Sequence, residues 1–356
     1  MKKTILSLLL VLTCLAQASA YTFEVDGIYY NKNGSNATVT YRDNNYNSYS
    51  GEVTIPSTVT YDGTTYTVTA IGDYAFQNCS ALTAITLPET VASIGMGAFN
   101  GCTSLATAKL PANANSIGSQ AFQNCSVLES IVIPEGVKTI TQQCFAGCSS
   151  LKDVTIPSTV TSIYIHSSAF YNPFNGCSAI TNLTWNAVRC ESRGGMPTAN
   201  IETVTIGDEV TLLPADFVRN SKITQVDIPA KVTNIGTNAF NGCSKLIMVT
   251  SRALVPPTMA ARNCFSCYDT ATLFAPISTV NDYRNAEYWK EFFQIIGANF
   301  DGLLGDVNGD GSINIADIVM VIDLILRGIY SPYADMNGDG LITISDINAI
   351  IAIVLH

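Results

Sequence analysis

The sequence predicts an α/β repeat solenoid followed by a small all-α module, and two observations carry the prediction. Cys79, Cys102, Cys125 and Cys148 stand 23 residues apart, each inside the same frame of apolar residues. Toward the other end, an acidic, glycine-bearing segment that starts at Asp306 recurs 29 residues later at Asp335. A fixed period in the twenties and a duplicated short unit are each signatures of modular architecture.

The frame reads Leu82-x-x-Ile85-x-Leu87-Pro88, then Val91-x-x-Ile94-Gly95, then Ala98-Phe99-x-x-Cys102. It recurs at Leu105 to Cys125 and at Leu128 to Cys148, lengthens by six residues before Cys177, and returns from Ile223 to Cys243. Such Leu-x-x-Leu-x-Leu character marks a leucine-rich solenoid. Ile85 and Leu87 alternate as a half-buried strand requires, and the proline after them ends the strand because it has no N–H to donate. No single coil can bury its own apolar face, so each must stack on its neighbours. About eight coils spaced by ~4.8 Å would make a rod on the order of 40 Å long.

The cysteines read as packing residues. Six of them, Cys79, Cys102, Cys125, Cys148, Cys177 and Cys243, hold one repeat position, and cysteine is among the most buried residue types. Reduced, structural thiols are expected, with Cys264 and Cys267 the candidate exception for a disulfide; zinc on this pair would rest on a single CxxC. The solenoid ends need covers. Phe23 to Tyr30 reads as a hairpin turning at Asp26-Gly27, and Asp62-Gly63 suggests a second one between Val53 and Val68. At the other end Tyr283, Trp289, Phe292, Phe293 and Ile296 have the spacing of an amphipathic helical cap.

This frame resembles the BspA-like leucine-rich repeats of exported proteins, over roughly residues 21–296. The resemblance implies a binding or attachment role, with a host matrix protein or a glycan as the solenoid's ligand.

Residues 297–304 read as a linker, and residues 305–356 as the second module. Its first loop runs Asp306-Val307-Asn308-Gly309-Asp310-Gly311-Ser312-Ile313-Asn314-Ile315-Ala316-Asp317. An EF-type calcium loop needs oxygen ligands at positions one, three and five, glycine at six, and a carboxylate at twelve. Asp306, Asn308, Asp310, the Ser312 carbonyl, Asn314 and Asp317 fill the ligand places. In the second loop Asp335, Asn337, Asp339, the Leu341 carbonyl, Thr343 and Asp346 do so. The alternative is a pair of acidic turns without an ion. Two aligned matches favour two Ca²⁺ ions, because three crowded carboxylates repel one another unless a cation sits among them.

A duplicated loop–helix unit with aspartate at position twelve resembles the type I dockerin family. The resemblance implies a cohesin-like protein partner or another surface protein. Carried over by position, the contacts would come from Ile315, Ala316, Ile322 and Asp323 in one half, and from Ile344, Ser345, Ile351 and Ala352 in the other. These positions are mostly apolar, which departs from the family's usual pattern. They read either as a hydrophobic partner face or as packing within the protein.

Charged residues are only 13% of the chain and the net charge is −10, which argues against nucleic acid and anionic membrane partners. Lys2, Lys3, the apolar run Ile5 to Leu12 and Ala18-Ser19-Ala20 read as an export signal over residues 1–20. The rival reading, a lipid anchor at Cys14, has Thr13 as a poor preceding residue. Beyond it no apolar run reaches the length of a membrane span. The expected location is therefore outside the cell or on its surface. The two histidines, His166 and His356, sit near no nucleophile motif, and no catalytic constellation stands out. The broken coil is the candidate ligand surface, with Tyr164, His166, Tyr171, Trp185 and Arg189 grouped in it; the alternative there is a bulge packed on its neighbours. Two roles compete with a binding protein: a structural spacer, and an accessory component of a polysaccharide-degrading, cellulosome-like assembly.

Overall fold

A computed structural model of the chain describes residues 20–356 except 165, 193–194, 299, 301–303, 309–310, 329, 332 and 356. The segment read as an export signal, up to residue 19 and including Cys14, and the ligand candidate Asp310 lie outside the described residues.

Each coil contributes one strand of up to five residues to a long face, and most add a two-residue strand to a second face. On the long face Asp153–Ile156, Asn182–Trp185 and Thr203–Ile206 pair in parallel, with Val154, Leu183 and Val204 in register. The short strands stack likewise, for example Thr139–Ile140 on Ser162–Ile163. Between them the Ala-Phe-x-x-Cys segment returns as consecutive turns, and among the described residues the coils contain no α-helix. The solenoid is thus a β-solenoid of leucine-rich type, its return path made of turns and, at Ala169–Tyr171 and Arg262–Cys264, single 3₁₀ turns.

The phenylalanines of the frame form a buried column. Phe76, Phe99, Phe122, Phe145 and Phe174 are each 0–1% exposed, and their rings stack at 5.0, 5.1, 5.8 and 5.4 Å between centroids. Phe174 keeps the column although its coil is six residues longer, so the insertion is accommodated outside the core. Beside the rings runs a column of thiols. Cys102 Sγ donates to the Phe76 carbonyl at 3.0 Å, Cys125 to Phe99 at 3.2 Å, Cys148 to Phe122 at 3.1 Å and Cys177 to Phe145 at 3.0 Å. A small apolar side chain that can still satisfy a buried carbonyl suits the position. All ten cysteines from Cys79 to Cys267 are free, Cys264 and Cys267 included. Burial pushes the Cys267 thiol up to about 12, and it raises the thiols of Cys102, Cys144 and Cys177 further, so these groups are poor nucleophiles at neutral pH.

The turns use a second periodic device. Asn78, Gly101, Asn124 and Gly147 occupy one repeat position, all with positive φ. A Cβ on Gly101 would lie 2.6 Å from Asn78 Oδ1, and one on Gly147 would lie 2.4 Å from Asn124 Oδ1. Asparagine tolerates the left-handed conformation, and the glycine of the next coil makes room for its side chain. Gly147→Ala is expected to cost about 1–2 kcal/mol from the left-handed backbone, with the steric clash added, read as a lower urea midpoint.

At the N-terminal end Phe23–Val25 pairs antiparallel with Ile28–Asn33 around Asp26-Gly27. The second hairpin forms between Thr58–Tyr61 and Thr64–Ile71, whereas Val53 lies in Gly51–Thr54 on the long face. At the other end the expected cap helix does not form. Tyr283 belongs to a short helix α1, Val280–Asn285, Trp289 to a single 3₁₀ turn, and Ile296 to the strand Gln294–Ala298. That strand pairs with Thr272–Pro276 and closes the sheet edge, which a helix could not do. Tyr283 and Trp289 are still buried, each hydrogen-bonded: Trp289 Nε1 donates to the Pro257 carbonyl at 2.7 Å and Tyr283 Oη to the Ala253 carbonyl at 2.7 Å. Because the strand runs through Ala298, the linker expected from residue 297 begins inside the sheet.

The C-terminal module has two helices, α2 (Ile315–Arg327) and α3 (Ile344–Val354), packed on each other. No helix among the described residues is long and apolar enough to cross a membrane.

Candidate functional site

The acidic loops and the helices that follow them form one construction. Asn314 and Thr343 cap α2 and α3: Asn314 Oδ1 accepts from Ala316 N at 2.8 Å and Thr343 Oγ1 from Ser345 N at 3.2 Å. Three residues on, Asp317 and Asp346 complete capping boxes, accepting from Asn314 N and Thr343 N at 2.8 Å. Loop position nine is thus the helix cap and position twelve the first-turn acid, where the helix dipole favours negative charge. Each position-twelve carboxylate also reaches back across its loop. Asp317 accepts from Asn308 N and Asp346 from Met336 N, both at 2.9 Å. For Asp346 burial raises the carboxyl pKa, but the amide hydrogen bonds from Thr343 and Met336 outweigh it and hold the group below the usual carboxylate range.

The first-position acids are buried too. Asp306 Oδ2 accepts from Gly311 N at 2.9 Å. Asp335 accepts from the amides of Gly338 and Gly340 at 2.8 and 2.9 Å, and from the Tyr330 hydroxyl at 2.9 Å. Asn337 and Asp339 are tied together by an Nδ2 to Oδ2 bond of 2.9 Å, and Asp339 Oδ1 accepts from Leu341 N. Asn314 Nδ2 donates to the Ser312 carbonyl at 3.2 Å.

The donor set fits a hard cation. Asp306, Asp317, Asp335 and Asp346 are buried, yet none of the ion pairs among the described residues involves them. Among the described residues the buried Oδ1 of Asp306 has no hydrogen-bond partner. Buried carboxylates need a compensating charge, and oxygen-only ligands suit calcium. Among the described residues no three acidic, histidine or cysteine side chains converge on one point; the carboxylates lean on backbone amides instead.

The candidate docking residues lie on the outside. Ile315, Ala316, Ile344, Ser345 and Ala352 are exposed, Ile322 is exposed, and Asp323 and Ile351 are half-buried. Asp323 is paired with Arg327 at 2.8 Å. Packing against the solenoid, the alternative for this set, falls instead to other residues: Val307, Val321, Leu324, Ala334 and Ile350 join Met248, Phe274, Ile296 and Ala298 in one buried cluster. Val319 and Leu326, missed from the sequence, extend the outer stripe; their spacing from Ile315 and Ile322 was the available signal.

The candidate ligand surface of the broken coil divides. His166 lies 4.8 Å from Tyr171 and 6.4 Å from Tyr164 between ring centroids, with Phe170 exposed beside them. Trp185 does not join them. It is fully buried against Phe217 at 5.4 Å, because it sits in register between Ile156 and Ile206, an inward position. Arg189 is exposed elsewhere, at a shallow cleft with Glu191, Thr211 and Asn234.

The model of the BspA type leucine rich repeat region matches residues 69–187 and 174–285, in six copies. The chain belongs to the BspA-type leucine-rich repeat family. Residues 304–355 match the dockerin type I domain, and such domains typically bind calcium. Among solved structures the BspA-type chain is similar to a leucine-rich repeat protein from Bacteroides ovatus, at 22% identity, TM-score 0.44, covering 78% of this chain and 91% of that one. A leucine rich cell surface protein from Faecalibacterium prausnitzii is 28% identical, TM-score 0.42, with 72% and 71% covered. The leucine rich repeat protein of T. pallidum is 24% identical, TM-score 0.38, with 65% and 86% covered. No curated protein matches the chain significantly. Repeats and dockerin together give the BspA-type chain a binding or docking role.

Proposed function

We propose that the chain is an exported, non-catalytic binding protein whose dockerin module docks it, in calcium, to a cohesin-type partner outside the cell. Two calcium ions are assigned to the loops, one to Asp306, Asn308, Asp310, the Ser312 carbonyl, Asn314 and Asp317. The other belongs to Asp335, Asn337, Asp339, the Leu341 carbonyl, Thr343 and Asp346. Calcium supplies the charge that lets Asp306, Asp317, Asp335 and Asp346 stay buried next to the helix starts.

The observation that carries the docking reading is the outer stripe of α2. Ile315, Val319, Ile322 and Leu326 are 72, 62, 42 and 80% exposed, spaced as one helical face. Exposed apolar faces of this kind mark interaction sites. The second half offers Ile344, Ala352 and Leu355. An apolar stripe favours a partner with an apolar surface over one read through polar contacts. The dockerin match also supports a second reading, an accessory component of a polysaccharide-degrading assembly, with the solenoid as a recognition or spacing element. The aromatic group of Tyr164, His166 and Tyr171 is a second exposed surface for a host protein or glycan.

The test is capture of partners from the native organism's envelope and medium with the mature chain, in calcium and in chelator. A partner held in calcium alone is expected, and the double variant Ile315→Asp, Ile322→Asp should weaken its binding by about 30-fold or more, as loss of central interface anchors does. Undiminished binding by that variant would move the docking face elsewhere.

A further inference from the structure

We propose that the cleft between the last solenoid strands and the dockerin module binds a single neutral sugar ring, and that the calcium loops hold one wall of that site. The proposal rests on the binding role given to the chain above and adds a place and a ligand class.

The module is seated on the solenoid. Besides the shared apolar cluster, Arg327 Nη1 donates to Gln294 Oε1 at 2.6 Å. Between solenoid and module a cleft of about 180 Å³ opens, with Gln225, Asp227, Thr250 and Arg252 on the strand side, Tyr330 and Tyr333 on the module side and Phe300 of the connecting segment between them. Its size is below the roughly 300–1,000 Å³ of pockets for drug-sized ligands, so it suits one ring and not a chain.

The polar side selects against ions. Arg252 binds the Asp227 carboxylate through Nε at 2.9 and 3.0 Å and through Nη2 at 2.6 Å. The pair cancels its own charge, leaving little attraction for a phosphate or an ammonium group. Its side chains stay 37% and 49% exposed, so donors and acceptors remain side by side at the cleft wall. Hydroxyl groups both donate and accept, and neighbouring hydroxyls on a ring match such an arrangement. Adjoining this pair is an aromatic surface, with the Arg252 guanidinium over the Phe300 ring at 5.4 Å from its centroid. A pyranose has the matching character, polar at its rim and apolar on its C–H faces.

The aromatic wall hangs from the acidic loops. The Tyr330 hydroxyl donates to Asp335 Oδ2 at 2.9 Å, and Gly305 N donates to the Tyr333 carbonyl at 2.9 Å, immediately before Asp306. Loosening either loop therefore releases the side of the cleft that would cover the sugar.

The experiment uses the full mature chain with calcium bound, checked by calorimetry. It is titrated with the methyl glycosides of glucose, galactose, mannose and N-acetylglucosamine under saturation-transfer NMR. At least one glycoside is expected to bind saturably, with Asp227→Asn weakening it by about tenfold or more, as loss of hydrogen bonds to a charged group does. Chelator should weaken it similarly. The Ile315→Asp, Ile322→Asp variant should bind the glycoside as the parent does, which separates this site from docking. No saturable glycoside on the calcium-loaded chain, binding unaffected by Asp227→Asn, or displacement by inorganic phosphate would overturn the proposal, and partner capture would stand or fall separately.

Discussion

Withdrawing calcium should melt α2 and α3 while the solenoid stays folded. The loops and the helix starts share residues: Asn314 and Thr343 are caps, and Asp317 and Asp346 are both first-turn acids and loop closers. Without a cation, the buried carboxylates have only amide and hydroxyl donors for company, with no compensating charge. At a free calcium about a thousandfold above the dissociation constant, each site stabilises the folded module by about 4 kcal/mol. Chelation is therefore expected to remove most of the helical signal in circular dichroism and leave the strand signal. A variant sharpens the test. Asp306→Asn removes the charge of the carboxylate whose buried Oδ1 has no partner among the described residues. In calcium it should lower the module's melting temperature, because a ligand charge is lost. In chelator it should be neutral or stabilising, because an uncompensated buried charge is lost. The same sign in both conditions would mean that no cation sits there.

The second large effect is expected at Phe122→Ala. The ring is fully buried, stacked between Phe99 at 5.1 Å and Phe145 at 5.8 Å. Truncating such a residue costs about 3–5 kcal/mol, through lost transfer energy and the cavity left behind. In a solenoid the damage is not confined to one coil, since each coil is stabilised by its neighbours. The expected outcome is a lower urea midpoint, or a transition split into two about the damaged coil. A loss below about 1 kcal/mol would show that neighbouring side chains collapse into the gap.

What could be read in advance depended on how local the cause was. The Asp26-Gly27 and Asp62-Gly63 hairpins were legible because a two-residue turn with positive φ is set by its own residues. The paired acidic loops were legible because the acids and the helix caps that shape each of them lie within twelve positions. Trp185 was misread because an aromatic residue in a broken coil resembles a binding group. The alternation of Asn182-Leu183-Thr184-Trp185 already placed it on the inward side with Leu183. The C-terminal cap was misread for a different reason. Tyr283, Trp289 and Ile296 do have helical spacing, but the open edge of Thr272–Pro276 offers backbone hydrogen bonds, and Gln294–Ala298 takes them as a strand.

The sequence by itself determined the solenoid, its period, the thiol column and the paired acidic loops, because each repeats a short pattern whose physics is complete within one or two coils. The tertiary packing decided that Val321 and Leu324 turn into the buried cluster that also holds Ile350, Val307, Met248 and Phe274, while Ile315 and Ile322 stay outside. Every face of α2 carries apolar residues, so composition could not say which face turns inward. The choice was made by α3, which packs on α2, and by the apolar cluster that joins the helix pair to the last strands of the solenoid, leaving the other side of α2 uncovered.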